Sequence, residues 1–255
     1  MLNLVLHGSP SEHPPLVIVH GLYGSARNWN VIAKRLSADR EVIAVDQRNH
    51  GDSPWAPSHS YADMAADLAE VIAAHGGRAD VLGHSMGGKA AMVLALTRPE
   101  MVRRLVVADM APVAYSHGPA HLALQRAMQV LDLENLTLRS EADRRLAQAI
   151  DDPATRAFLL QSLDLKATPP RWKLNLEVLG AEMEQILGWP GTPGVFEGPA
   201  LFVYGALSNY LREEVKPAIL DQFPQAEFAR IEGAGHWLHA ERPREFEAEV
   251  AAFIA

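Results

Sequence analysis

The sequence predicts an α/β fold, an open, mostly parallel, doubly wound sheet into which a block of helices is inserted. Three observations predict it. Short apolar runs recur at 16–19, 41–45, 79–82, 105–108, 200–204 and 228–231, and brief, nearly continuous apolar runs suit strands buried on both faces of a parallel sheet. Helical segments with readable ends lie between these runs, and alternating strands and helices imply a doubly wound architecture. Residues 111–198 break the alternation with successive helix signals and no clear strand.

The elements follow in order. Leu16–Val19 runs into His20-Gly21 and is followed by a helical Asn28–Leu36, and the run 41–45 ends at Asp46. Ser60-Tyr-Ala-Asp63 is a capping box that opens a helix stopping at Gly76-Gly77. Ala79–Leu82 leads into Gly83-His-Ser-Met-Gly-Gly88 and a helical run, 89–96, that stops before Pro99. Leu105–Ala108 ends at Asp109. Helix signals then follow at 119–131, from a Ser140-Glu-Ala-Asp143 cap to Ile150, from Asp152-Pro153 to Leu163, and over 175–187. The turn-rich stretch 188–194 returns the chain to the run 200–204, which ends at Gly205. Phe228–Ile231 leads to Gly233-Ala-Gly-His236, and 242–254 reads as a closing amphipathic helix. The predicted organisation is one core, 1–110 and 199–255, carrying 111–198 as a helical lid.

Bulk properties narrow the function. A length of 255 residues with 48% hydrophobic content suits one domain with a large insertion. A net charge of −8 argues against nucleic acid as a partner. With no cysteine, disulfides, thiolate metal sites and cysteine nucleophiles are excluded. There are eleven histidines but no H-E-x-x-H pattern, and His236 and His239 share a helix face without an evident third ligand, so no metal is expected. No run reaches the length of a membrane span, and residues 1–20 lack a basic start followed by an apolar segment. The expectation is a soluble, cytoplasmic protein whose oligomeric state the sequence does not give.

In a doubly wound sheet, ligands gather at the carboxyl ends of the strands. Those ends carry His20-Gly21, Asp46, Ser85, Asp109, Gly205 and the His236 loop. The pattern G-x-S-x-G between a strand and a helix is the context of a nucleophile elbow, which makes Ser85 the candidate nucleophile. Such a serine needs a base, a carboxylate to orient the base, and donors for the oxyanion. His236, in a glycine-flanked loop after the last strand, is the candidate base. His84 is expected to turn away from the site toward the sheet as a packed, hydrogen-bonded side chain, and His20 and His50 are read with the same caution. The turn after 201–204 holds no carboxylate before Glu213, and Glu213 and Glu214 are expected to face solvent. Asp109 ends the preceding strand and completes the chain order serine, acid, histidine. It is read as the acid in preference to a cap or turn residue, because a neutral histidine needs an orienting acceptor. Ser208 is a candidate accessory group to the His236–Asp109 pair, and Asp46 an anchor for the loop that follows it. The oxyanion donors are expected to be the amides of Met86 and Leu22, with Tyr23 as the alternative to Leu22.

With these residues assembled, the chain resembles the α/β-hydrolases over nearly its whole length. The segments His20–Ser25 with Asn28-Trp29, Asp46–Gly51, Gly83–Ala90, Ala108–Val113 and Gly233–Trp237 are together similar to the YbfF-type esterases and to a mitochondrial α/β-hydrolase-domain esterase. The resemblance implies an α/β-hydrolase fold and an acid at Asp109, with a serine, here Ser208, in the usual acid turn. It also implies hydrolysis of acyl esters or acyl-CoA thioesters without a cofactor. The expected function is a serine esterase working through an acyl-enzyme. The alternatives are a C–C bond hydrolase or lyase on the same triad, a low-turnover ligand-binding receptor, and a non-catalytic scaffold. Tyr115, Met128, Phe158, Trp172 and Leu187 are apolar lid residues that either shape an acyl pocket or form plain lid core.

Overall fold

The computed structural model describes every residue of the chain except His117 and Asn135. Its central element is a seven-stranded sheet in the order β1-β3-β2-β4-β5-β8-β9. These strands are β1 (Asn3–His7), β2 (Leu16–Val19), β3 (Val42–Asp46), β4 (Ala79–His84), β5 (Val102–Ala108), β8 (Ala200–Gly205) and β9 (Ala226–Ile231). All neighbouring pairs are parallel except β1 with β3. The six expected strands are present. β1 lacks a counterpart in the sequence reading: its apolar run is only Leu4-Val5-Leu6, between Asn3 and His7, and at the sheet edge these residues are only partly covered.

The strands alternate their side chains between two cores. Val17, Val19, Val81 and Val107 pack beneath α2 (Tyr61–Ala74) and α3 (Met86–Thr97). Leu16, Ile18, Leu82 and Val106 face Trp29, α1 (Asn30–Leu36) and α11 (Pro243–Ile254), the last of which closes the chain. This period-2 division covers both sheet faces and leaves the strand ends as the place where polar side chains can gather. The Ser60 hydroxyl accepts a hydrogen bond from the Asp63 amide, as the capping box requires, and Gly77 ends the helix with its amide on the Ile72 carbonyl.

Between β5 and β8 the chain forms α4 (Gly118–Gln129), α5 (Arg139–Leu146), α6 (Pro153–Leu160), α7 (Leu176–Ala181) and α8 (Met183–Leu187). A two-residue pairing of β6 (Leu163–Asp164) with β7 (Arg171–Trp172) interrupts them. Asp152 caps α6 as expected. α5, by contrast, begins at Arg139 with Leu138 at its cap and no side-chain capping bond, so Ser140 lies inside the helix and does not start it. The insertion is tied to the core at its return. The buried Lys89 ammonium, on α3, donates to the carbonyls of Leu187 (2.8 Å) and Gly188 (2.5 Å), and burial pushes its pKa down to about 7. No helix among the described residues is long and apolar enough to cross a membrane.

The junction of β4 with α3 leaves no room for side chains at its glycines. A Cβ on Gly83 would lie 2.3 Å from the Gly87 carbonyl oxygen, and one on Gly87 would lie 2.4 Å from that of Val19. Because the obstacles are backbone atoms, of α3 for Gly83 and of the end of β2 for Gly87, relief at Gly87 requires moving α3 away from β2. Gly87→Ala is expected to lower the unfolding free energy in urea by about 3 kcal/mol, the upper end of overpacking costs. An unchanged value would contradict this packing.

Candidate active site

Ser85 occupies the turn between β4 and α3 with φ 54° and ψ −121°, a strained conformation for a residue with a side chain. Its amide is held by the Ala108 carbonyl at 3.1 Å, which ties the turn to the end of β5. One residue further, Asp109 also takes a positive φ (52°), and its amide bonds to the Val203 carbonyl of β8 at 2.8 Å. The loop after β9 brings His236 to both. The His236 Nδ1–H donates to Asp109 Oδ2 at 2.6 Å, and its Nε2 lies 3.0 Å from Ser85 Oγ. A carboxylate only accepts, so Nδ1 carries the proton and Nε2 presents its lone pair toward the serine hydroxyl. The Ser208 hydroxyl donates to the same Asp109 oxygen and accepts from the Tyr210 amide at 3.1 Å. Asp109 is completely buried; burial pushes its pKa up, opposed by the Ser208 hydroxyl and the Gly205 backbone.

The structure therefore brings Ser85, His236, Asp109 and Ser208 together, while Glu213 and Glu214 stay exposed at the surface. Asp46 anchors its loop, accepting from the amides of Ala26 (2.7 Å) and Asp52 (2.9 Å). Leu22 and Met86 border a small recess of about 20 Å³ beside Ser85. Among the described residues the Leu22 amide has no protein acceptor, and that of Met86 lies in the first turn of α3, where amides have no helical partner. The Tyr23 amide is taken by His50 Nε2 at 3.1 Å, which removes it as the alternative donor.

The placement of His84 differs from the expectation. It is buried and hydrogen-bonded, but its ring lies 4.8 Å from that of His236, and its Nε2–H donates to the His236 carbonyl at 2.9 Å. It faces the site because the loop after β9 folds back over the end of β4. Tyr210, absent from the sequence reading, stacks on His236 with ring centroids 3.9 Å apart and an 18° angle. Its position two residues after Ser208, in the loop that contacts Asp109, is the signal that could have found it.

Ser85 and His236 open onto a cavity of about 270 Å³ whose walls include Leu22, Tyr23, Phe158, Leu159, Tyr210 and Trp237. Of the apolar insertion residues, Phe158 lines this cavity, while Tyr115 and Leu187 line the small recess. Met128 and Trp172 are insertion core, joined by a bond from the Trp172 indole N–H to the Met128 carbonyl at 2.9 Å. Among the described residues no three histidine or acidic side chains group as a metal site. His239 instead stacks on Trp29 at 4.2 Å.

A sequence profile for the alpha/beta hydrolase fold matches residues 14–243. The chain belongs to the alpha/beta hydrolase fold family. Within this family it is 38% identical over 245 residues to the esterase YbfF of Escherichia coli, covering 95% of this chain and 94% of that one. It is 39% identical over 249 residues to the mouse sn-1-specific diacylglycerol lipase ABHD11, covering 95% and 81% respectively. Among solved structures, a marine microorganism esterase superposes with a TM-score of 0.94 at 37% identity, covering 99% of this chain and 98% of that one.

The site is surrounded by histidines that burial keeps neutral. Burial pushes His59 and His84 down to about 3 and lowers His20, His50 and His239 as well. The unfolded chain protonates these groups near pH 6.5, so it binds more protons than the folded chain at lower pH, and stability falls as pH falls. Urea unfolding between pH 6.5 and 4.5 is expected to lose up to about 1.4 kcal/mol per pH unit for each of His59 and His84, offset in part by Asp109, whose raised pKa has the opposite sign. A free energy that stays constant over this window would contradict neutral burial.

Proposed function

We propose that the chain is a serine carboxylic-ester hydrolase that cleaves short acyl esters through an acyl-enzyme. The observation that carries this reading is the unbroken series Ser85 Oγ, His236 Nε2 and Nδ1, Asp109 Oδ2, opening onto a mostly apolar cavity. As Ser85 Oγ attacks the acyl carbonyl carbon, His236 Nε2 takes the hydroxyl proton and the carbonyl π electrons move onto oxygen. The amides of Leu22 and Met86 stabilise this oxyanion. Collapse of the tetrahedral intermediate expels the leaving alcohol, which receives the proton from His236. A water then attacks the acyl-enzyme by the same steps in reverse order, with His236 first as base and then as acid, and releases the carboxylic acid. Asp109 fixes the imidazole orientation and stabilises its protonated form, while Ser208 holds the carboxylate. Tyr210, stacked on the imidazole, is placed to stabilise its cationic form through its ring face.

Residues 111–198 act in this reading as the lid, with Phe158 contributing a wall of the substrate cavity. The volume of about 270 Å³ lies just below the usual range of ligand pockets, roughly 300–1,000 Å³. This favours short acyl esters over long-chain acyl thioesters. The esterase names of the E. coli and marine relatives support the same reaction class.

Ser85→Ala is expected to abolish both p-nitrophenyl butyrate turnover and labelling by a fluorophosphonate probe; retained turnover would refute the nucleophile. Asp109→Asn is expected to lower kcat by about 10⁴-fold, because the amide favours the wrong imidazole tautomer. Ser208→Ala is expected to be much milder, and a greater loss from it than from Asp109→Asn would reverse the two roles. Turnover is expected to fall as the acyl chain lengthens from butyrate to palmitate, and a preference for palmitate or palmitoyl-CoA would refute the assignment to short esters.

A further inference from the structure

Tyr23 lies in the left-handed region, with φ 64°, beside the loop that carries the Leu22 amide. A residue with a side chain stays there only when its surroundings hold it. Three hydrogen bonds do so. Its amide donates to His50 Nε2 at 3.1 Å, its carbonyl accepts from Ser162 Oγ at 3.1 Å, and its phenol donates to the His121 carbonyl at 3.1 Å. Ser162 and His121 belong to the insertion; His50 belongs to the loop after β3.

The tautomer of His50 is fixed by its other nitrogen. Nδ1 lies 2.9 Å from the Arg48 carbonyl, which only accepts, so Nδ1 carries the proton and Nε2 presents a lone pair to Tyr23. The ring is wholly buried, with the His20 ring 5.0 Å away and the His59 ring 5.3 Å away. The preceding peptide is held in a matching way. The Gly21 carbonyl accepts from the His20 Nδ1–H at 2.8 Å and from the Gly24 amide at 3.0 Å. Across a trans peptide the N–H opposes the C=O, so these two bonds turn the Leu22 amide away from the turn's interior. The same loop is close to the nucleophile, since a Cβ on Gly21 would lie 3.1 Å from Ser85 Cβ.

Resting on the ester-hydrolase reading, we infer that His50 is a positioning residue of the oxyanion site and that Ser162 secures the same loop from the insertion. His50 withdraws the Tyr23 amide and leaves the Leu22 amide as the donor that meets the oxyanion. Because the insertion supplies the second bond, its docking completes the oxyanion site as well as covering the cavity.

The two amide replacements of His50 separate positioning from packing. His50→Asn places its amide near Nδ1, keeping the Arg48 partner but offering Tyr23 nothing. His50→Gln carries a carbonyl oxygen to the position of Nε2. His50→Asn is expected to lower kcat for p-nitrophenyl butyrate on the order of 10–100-fold, less than the loss of an oxyanion donor outright, with KM changed less than about 3-fold. His50→Gln is expected to restore kcat to within about 5-fold of the parent. Inhibition by an alkyl boronic acid, whose tetrahedral adduct places an oxygen at the oxyanion position, is expected to weaken in parallel with kcat. Ser162→Ala, which removes a hydroxyl outside the cavity, is expected to lower kcat and boronate affinity together by roughly 3–10-fold, and tests the inference even if His50→Asn does not fold. Equal losses in the Asn and Gln variants, or unchanged kcat and boronate affinity in His50→Asn or in Ser162→Ala, would overturn the inference while the parent enzyme still cleaves the ester. A parent chain without ester turnover would overturn the underlying function, and this inference with it.

Discussion

The site depends on one constraint, the close approach of the β4–α3 turn to the end of β2. Gly83 and Gly87 lie so near backbone carbonyls that neither tolerates a Cβ, and the compression holds Ser85 at φ 54°. Strain of this kind costs about 1–3 kcal/mol and persists only where neighbours fix the backbone. Here they do so in series. The Ser85 amide bonds to the Ala108 carbonyl, which places the end of β5, and the Asp109 amide bonds to the Val203 carbonyl, which places the end of β8. The proposed nucleophile and acid are thus located by successive backbone bonds across adjacent strands, and the position of one is transmitted to the other through the sheet.

The same series accounts for where the carboxylate stands. β5 pairs with β4, so a side chain at its carboxyl end lies one strand spacing, about 4.8 Å, from the strand that leads to Ser85. An acid after β8 would start from a strand further away. His236 has the longer reach, since it follows β9 and must pass over the end of β8. Gly205 makes that passage possible, because a Cβ there would lie 2.2 Å from the Gly235 carbonyl oxygen. Its bare backbone lets the last loop fold over β8 and bring the imidazole between Ser85 and Asp109. Ser208 then occupies the ground an acid would otherwise hold, and its hydroxyl serves the carboxylate of the neighbouring strand.

The sequence made legible what is written in contiguous residues. Buried parallel strands carry nearly continuous apolar runs, and the elbow is a contiguous pattern flanked by a strand and a helix, so six strands and the position of Ser85 in the strand-to-helix turn could be read directly. Asp109 was reachable as the candidate acid by elimination, because the turn after Gly205 has no carboxylate before Glu213. What could not be read depends on pairs distant in the chain. Tyr210 against His236, His84 beneath the His236 carbonyl, and His50 on the Tyr23 amide are contacts whose partners leave no mark on one another's local pattern. β1 was missed because its apolar run, Leu4-Val5-Leu6, is only three residues long, in an edge strand that is only partly covered. Phe158 and Met128 illustrate the same limit in the insertion, where two apolar helical residues look alike although one lines the cavity and the other packs inside.

The concentration of histidines around the site has a physical logic of its own. A neutral imidazole offers one donor and one acceptor at fixed geometry without adding charge. His20, His50 and His84 are each at most 4% exposed, and each bonds to backbone: His20 to the Gly21 carbonyl and Gln47 amide, His50 to the Arg48 carbonyl and Tyr23 amide, His84 to the His236 carbonyl. A lysine or carboxylate in these positions would impose a charge beside Ser85 that competes with the oxyanion or with Asp109. Rings that burial holds neutral instead orient the loops without adding charge beside Ser85 and Asp109. His236 differs from them in having 23% of its side chain open to the cavity and a carboxylate on Nδ1. In the proposed reaction this imidazole carries a proton, which calls for solvent access and a counter-charge, and the fold gives His236 both.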